Sequence, residues 1–393
     1  MTTSGSLDHA LGLELAALEQ KGLRRVLRPL SNRRGARVRE GDRVLVDFSS
    51  NDYLGLASHP EVAEAAARAL VEAGTGAAAA RLIAGHHELH AKLEQRLAQF
   101  LGTERALLFP AGYMANVGAI PSLVDRNDGI YSDVLNHASL IDGCRLSRAE
   151  VHRIPHGDPA ALEQALARTG ERYRRRLVVV EGLYSMDGDL YPLDALVRLA
   201  ERYDAWVYLD DAHAVGVLGP NGRGTVEHWG VQADIPILVG TLGKAFGTAG
   251  AFVAGSATLI DFLTNRARAF VYTTGTPPAL AAATLAALEV LVREPERRAR
   301  VRANARALRT GLAALGRSVP GPSDGHIVPL VLGSSEAVMA AGSALRDAGF
   351  LVGAVRPPTV PAGRGRLRIT LSAAHTGEDI EALLDSLRRN LPG

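Results

Sequence analysis

The chain has 393 residues, 47% hydrophobic and 22% charged, with 44 Lys and Arg against 42 Asp and Glu. That balance describes a globular protein with room for a large domain and a smaller companion, and a net charge of +2 gives no reason to expect nucleic acid or a membrane as partner. The single cysteine, Cys144, excludes an internal disulfide framework and suits a reducing compartment.

In chain order, the start MTTSGSLDHALGLELAAL carries Asp8 and Glu14 and lacks the basic end and long apolar run of a signal peptide, so a cytoplasmic protein is expected. It reads as a helix. A basic stretch follows, with Arg24, Arg25, Arg28, Arg33, Arg34, Arg37 and Arg39. From about residue 46 to 285, short apolar runs alternate with helical patterns. ALLF (106–109), LVVVE (177–181), WVYLD (206–210) and ILVGT (237–241) read as strands buried on both faces, and the helical stretches between them imply crossovers in a mainly parallel sheet. A helical region from Pro278 to about Leu315 breaks near Pro295. Its apolar part, Ala279 to Val292, contains Glu289 and is too short to span a bilayer. The tail holds HIVPLVLG, a helix over Ser335–Ala348, LVGAVRPP, RLRITLS and a last helix near Glu378–Leu391, a compact α+β unit. The expected division is 1–45 as an N-terminal segment packing with the small domain, 46–285 as the large cofactor-binding domain and 286–393 as the small C-terminal domain.

In open parallel sheets, ligands bind outside the carboxyl ends of the strands. After ALLF comes a glycine turn, Pro110-Ala111-Gly112-Tyr113-Met114-Ala115-Asn116. LVVVE is followed by Gly182 to Gly188, including Ser185; WVYLD, ending in Asp210, by Asp211-Ala212-His213; and ILVG by Thr241-Leu242-Gly243-Lys244-Ala245-Phe246-Gly247. Lys244 is set apart by composition as well. The only lysines are Lys21, Lys92 and Lys244, arginine having replaced the rest. A lysine that persists in such a chain suits a task the guanidinium cannot perform, such as forming an imine.

These groups match the needs of pyridoxal phosphate (PLP). Lys244 offers the amine, and Asp210 a carboxylate to keep the pyridine nitrogen protonated so that the ring can take up a carbanion's electrons. The backbone N–H groups of Gly112 and Tyr113 at a helix start, with the hydroxyl of Thr241, offer donors for the phosphate. His137, in LNHASL, offers a flat partner for the ring. Singly, a buried Asp or His at a strand end is as often structural, and a glycine turn after a strand is common; the weight lies in the combination.

With those residues in place, the segments FSSNDYLGL, NHASL, EGLYSMDGD, DDAHAVGVLGPNGRG, TLGKAFG, YTTGTPP and RLRITLSAAHT resemble the α-oxoamine synthases, a branch of the fold-type-I PLP enzymes, from about residue 20 to the C-terminus. The resemblance implies an α/β, aminotransferase-like fold: a large domain on a mainly parallel sheet and a small α+β C-terminal domain. It implies that Lys244 holds the cofactor as an imine, Asp210 pairs with the pyridine nitrogen, His137 stacks on the ring, and Ser185 and His213 hydrogen-bond its phenolic oxygen. Gly112, Tyr113 and Thr241 would hold the phosphate, and Thr274 would reach the phosphate of a neighbouring subunit, making a homodimer with shared sites. Asn51 and Arg368 would hold the amino-acid carboxylate and Thr359 would line the acyl pocket. An N-terminal arginine is also expected there: counting back from FSSNDYLGL selects Arg25, while the local Leu-Arg-Arg match favours Arg24. The segment RPPTVPAGRGRLRIT (356–370) points to members that condense L-alanine with a pimeloyl thioester, on coenzyme A or on an acyl carrier protein. One departure stands out: Gly76-Ala77-Ala78-Ala79-Ala80-Arg81 replaces a glycine- and serine-rich turn, which bears on the identity of the acyl group.

Two rivals are set against this reading. Glycine-using members that make 2-amino-3-ketobutyrate or 5-aminolevulinate share the same core. A metal-dependent hydrolase could use Asp210, Asp211 and His213 with His86, His87 and His90, of which His86 and His90 have helical i, i+4 spacing. It leaves Lys244 unexplained, so no metal is expected. Outside the site, the basic stretch at 24–39 reads either as a solvated face or as a contact for the anionic part of a thioester donor. His86, His87 and His90 are expected at a surface helix start, Cys144 as a buried small hydrophobe, and Trp206 and Trp229 as packing residues.

Overall fold

The computed structural model describes residues 6–169 and 172–391. The chain forms two compact units. One comprises Asn51–Ala303 with Ser372–Ala374, and the other Met1–Ser50, Asn304–Leu371 and His375–Gly393.

The terminal unit contains β1 (Ser31–Arg34), β2 (Arg37–Glu40) and β3 (Arg43–Asp47). The basic stretch is therefore largely an antiparallel meander. In Arg37–Glu40 the alternation places Val38 inward and Arg37 and Arg39 outward. Much of its charge is answered within the unit. Arg33 binds the buried carboxylate of Asp47 at 2.7 Å, Arg37 grips Asp379 through two bonds of 2.6 and 3.1 Å, and Arg24 meets Glu19.

The larger unit is built on a seven-stranded sheet. Its strands are β4 (Arg105–Phe109), β5 (Gly129–Asp133), β6 (Glu150–Ile154), β7 (Arg176–Glu181), β8 (Trp206–Asp210), β9 (Ile237–Thr241) and β10 (Ala251–Gly255), in the order β4-β10-β9-β8-β7-β5-β6. The apolar runs read from the sequence are strands here, and the β9-β8-β7-β5-β6 stretch is parallel. The exception is β10, antiparallel to both β4 and β9. Leu177, Val179, Tyr208, Val239 and Val253 pack one face of the sheet against helices Gly112–Leu123 and Ala138–Ser147. Cys144 lies in that core, where burial pushes its thiol up to about 12.

Helix Pro278–Arg293 starts on a proline, whose missing N–H is no loss in a first turn, and stops before Pro295. The terminal unit resumes with helix Glu296–Ala314 running into it, then β11 (Ile327–Gly333), helix Ser335–Asp347, β12 (Phe350–Leu351), β13 (Gly353–Val355), β14 (Gly365–Thr370) and helix Gly377–Asn390. A three-stranded sheet, β11-β14-β13, forms there, while β12 joins β3 in parallel to complete a four-stranded one. Phe48, Leu308, Val328, Leu367 and Ile380 centre its core. No helix among the described residues is long and apolar enough to cross a membrane.

Candidate active site

The carboxyl ends of β7, β8 and β9 and the starts of helices Gly112–Leu123 and Ala138–Ser147 surround a cavity of about 190 Å³. Gly112, Tyr113, His137, Asp210, His213, Thr241 and Lys244 line it, together with Asn116, Ser139, Glu181 and Ala212. Most of the cofactor residues expected from the sequence thus meet in one place.

Lys244 reaches the cavity from the turn after β9. Its Nζ lies 2.9 Å from His213 Nε2, His213 Nδ1 lies 2.7 Å from the Tyr53 hydroxyl, and that hydroxyl donates to Asn51 Oδ1 at 3.1 Å. Since the Tyr53 proton goes to Asn51, the ring proton of His213 sits on Nδ1 and its Nε2 accepts from the lysine. The turn is held tightly: Gly247 has φ +67°, and a Cβ there would stand 2.3 Å from Ala57 N.

Asp210 ends β8 with its side chain buried. Its Oδ1 accepts from Ala212 N–H at 3.0 Å and its Oδ2 from Asn116 Nδ2 at 2.8 Å. The neighbouring Asp211 points elsewhere, taking both the N–H and the hydroxyl of Thr225. Burial raises it to about 7.

His137 caps helix Ala138–Ser147: its Nδ1 accepts from Ser139 N–H at 3.2 Å and contacts Ser139 Oγ at 2.7 Å. Burial lowers its pKa, and Lys244 lowers it too, against the opposing pull of Asp210. Its backbone N–H donates to Glu181 Oε1 at 2.6 Å. Glu181 was not singled out from the sequence. It ends β7 directly beside Asp210 on β8, and burial first and the Asp210 charge second raise its pKa to about 8.

The helix opened by Gly112 has no side-chain cap, so its first N–H groups face the cavity rim undistracted. A Cβ at Gly112 would come within 2.7 Å of Thr241 Cγ2, so glycine lets the helix start and Thr241 approach each other. The Tyr113 hydroxyl is bound to Asp142. This donor set fits PLP: an amine, a buried carboxylate with its lone pairs oriented, an imidazole at the wall and an anion-seeking helix start.

Other expected residues are not among those that line the cavity. Ser185 is buried after β7, its N–H on the Glu181 carboxylate. Thr274 makes an isolated bridge with Ala80 and does not line the cavity. Arg25, Thr359 and Arg368 belong to the terminal unit, where Arg25 Nη2 donates to Thr359 Oγ1 at 3.0 Å and Arg368 is buried on β14. Arg24, the alternative, pairs with Glu19 instead.

The histidines of the metal reading are engaged otherwise. Arg81 donates to His86 Nδ1, and His90, expected at the surface, is fully buried. Its Nδ1 accepts from His87 N–H and its Nε2 meets Thr276 O at 2.9 Å. In the alanine-rich turn, Ala78 has φ +58°, a left-handed conformation that glycine would occupy without strain.

Comparison with known proteins agrees with this geometry. The family model for aminotransferase class I and II matches residues 43–387. An 8-amino-7-oxononanoate synthase of Methylococcus capsulatus is 53% identical over 88% of this chain and 89% of its own length, and one of Anaeromyxobacter dehalogenans is 50% identical over 99% and 96%. Among solved structures, a serine palmitoyltransferase from S. paucimobilis, with a PLP–myriocin aldimine bound, is 32% identical, covers 98% of both chains and superposes with a TM-score of 0.92. The chain therefore belongs to the aminotransferase class I and II family of PLP-dependent enzymes, in its α-oxoamine synthase branch.

Proposed function

We propose that this chain condenses L-alanine with a pimeloyl thioester, releasing 8-amino-7-oxononanoate, CO2 and the free thiol, a step that builds a biotin precursor. The observation that carries the reading is the convergence of Lys244, Asp210, His137 and an uncapped helix start on one cavity, in a chain about half identical to synthases of that name. PLP, when bound, supplies an electron sink for a carbanion at the alanine Cα, first for attack on the thioester and again after CO2 is lost.

The chain's own groups do the rest. Lys244 would hold the cofactor through its Nζ, and the same amine would take the proton from the alanine Cα and later return one. His213, with Nε2 toward the lysine and Nδ1–H on Tyr53, orients that amine. Asp210 would face the ring nitrogen and His137 the ring plane, while Ser185 and His213 would serve the phenolic oxygen. Gly112, Tyr113 and Thr241 would serve the phosphate, and Thr274 would be supplied to a second copy in a homodimer. Asn51 and Arg368 are assigned the alanine carboxylate, and Arg25 with Thr359 the acyl group. The thioester is carried by coenzyme A or by an acyl carrier protein.

Purified protein given PLP, L-alanine and pimeloyl thioesters is expected to yield that product by mass analysis, with glycine a poor substitute. Lys244→Ala should lose turnover by more than about 10³-fold, together with the visible absorbance and the borohydride-trapped adduct on its peptide. Turnover or absorbance surviving in that variant would remove the assignment, and efficient use of glycine with shorter thioesters would move the chain to another member of the family.

A further inference from the structure

Asn116 has no role in the reading above, yet its side chain ties together several groups in and behind the cavity wall. It lies one helical turn past Gly112 and is buried at 1% exposure. Its amide makes three bonds to neighbouring groups. Nδ2 donates to Asp210 Oδ2 at 2.8 Å and to Ser139 Oγ at 2.9 Å, and Oδ1 accepts from the Tyr208 hydroxyl at 2.9 Å. Asp210 decides which way round the amide sits. A carboxylate only accepts, so the NH2 end of Asn116 must face it, and the carbonyl end is left to take the Tyr208 proton.

Ser139 extends the network. Its Oγ accepts from Asn116, so its own proton is free for His137 Nδ1 at 2.7 Å. That nitrogen also accepts Ser139 N–H, so the ring proton of His137 sits on Nε2. Burial lowers the His137 pKa, which keeps this neutral tautomer in place at neutral pH. One amide therefore fixes the carboxylate of Asp210 on one side and, on the other, turns the Ser139 hydroxyl proton toward His137 Nδ1.

We propose that Asn116 is a positioning residue for the cofactor: its Nδ2 aims the Asp210 carboxylate at the pyridine nitrogen and, through Ser139, sets the ring-stacking imidazole of His137. The proposal rests on the cofactor roles of Asp210 and His137 given above. A hydrogen bond to a buried charged group is strong and is not replaced by water when its donor is removed, so the effect should be large for a group that never touches the cofactor.

The test is PLP affinity of the cofactor-free protein, by dialysis and by visible absorbance, from pH 6 to 9. Asn116→Ala should bind PLP about 10- to 100-fold more weakly at every pH. Asn116→Asp keeps the shape but changes the chemistry. At pH 6 the new carboxyl keeps its proton and can donate it to Asp210, so affinity stays close to wild type. As pH rises that proton leaves, two carboxylates face each other, and affinity falls by about tenfold or more. A purely structural asparagine would leave the isosteric variant better than alanine by the same margin at every pH, with no added pH step. Wild-type affinity in Asn116→Ala, or a wild-type pH profile in Asn116→Asp, overturns the proposal; should the alanine variant fail to fold, the aspartate variant decides alone. Asp210→Asn separates the two layers. If it also binds PLP as wild type does, the role of Asp210 itself is lost; if it binds weakly while both Asn116 variants are unaffected, only the positioning role is lost.

Discussion

Asp210 and Glu181 show how far single residues can be read and where reading stops. Both end buried strands with a carboxylate, and the structure sets them side by side across β7 and β8. Asp210 was legible because Asp211 and His213 follow it; LVVVE gave the same strand-end signal, but strand adjacency belongs to the tertiary fold and is not written locally. Lys244 was legible from composition as well as from its glycine flanks. Asn116 was visible only as part of a turn motif, since its importance comes from three partners distant in sequence.

The placement of Glu181 has a measurable result. Its folded pKa of about 8 exceeds the ordinary carboxylate value, so between pH 5 and 8 the folded protein holds a proton there that the unfolded chain has released. Stability must therefore fall as pH rises across that window, by about 1.4 kcal/mol per pH unit for one full proton. Glu181→Gln, shaped like the protonated acid, should flatten the slope in urea unfolding of the cofactor-free protein at pH 5, 6, 7 and 8; an unchanged slope would show that Glu181 is ionised there. Asp211, raised to about 7, leaves a residual slope of the same sign.

At the level of elements, ALLF, LVVVE, WVYLD and ILVGT were readable as strands because their apolar runs are continuous, and the helical crossovers between them marked a mainly parallel sheet. The strand AFVAG, β10, was not singled out, and its antiparallel direction depends on which strands it meets, which is not written locally. The β1–β3 meander was hidden by arginine: RVRE alternates as a strand should, but its charges dominated the reading. The turn after β9 offers a paired test of local geometry. A Cβ at Gly243 would meet only Thr248 O, at 3.5 Å, an ordinary contact, whereas Gly247 combines a positive φ with backbone at 2.3 Å. Gly243→Ala should change stability by less than about 0.5 kcal/mol. Gly247→Ala should cost about 1–3 kcal/mol and weaken PLP binding by displacing the segment that carries Lys244. Equal effects in thermal unfolding and cofactor titration would contradict this account of the turn.

For the whole molecule, the terminal unit draws residues from both ends of the chain. Its closure is marked by the ion pair of Arg37 with Asp379. Burial alone would raise the Asp379 pKa, but the guanidinium and the Thr376 N–H outweigh it and hold the acid below its ordinary range. The pair therefore contributes stability above that range and loses it as pH falls through the lowered value. Arg37→Met leaves the carboxylate buried without its cation, so its folded pKa rises and acid unfolding should begin at higher pH, seen by circular dichroism on titration from pH 7 to 2. An unshifted midpoint would show the pair to be a surface ornament. The sequence segmentation at 45 and 285 and the structural units describe the same chain differently, because apolar periodicity cannot reveal that a helix such as Glu296–Ala314 begins in one unit and continues in the other.

Arg37 and Asp379 are also 342 positions apart. During translation, the meander emerges from the ribosome on the order of tens of seconds before the acid that anchors it exists. Through that interval β3 has no β12 to pair with, and its exposed edge waits beside a polypeptide still being made. Like charges on the arginines of β1 and β2 border that edge while it is open, the kind of feature that disfavours pairing with other strands.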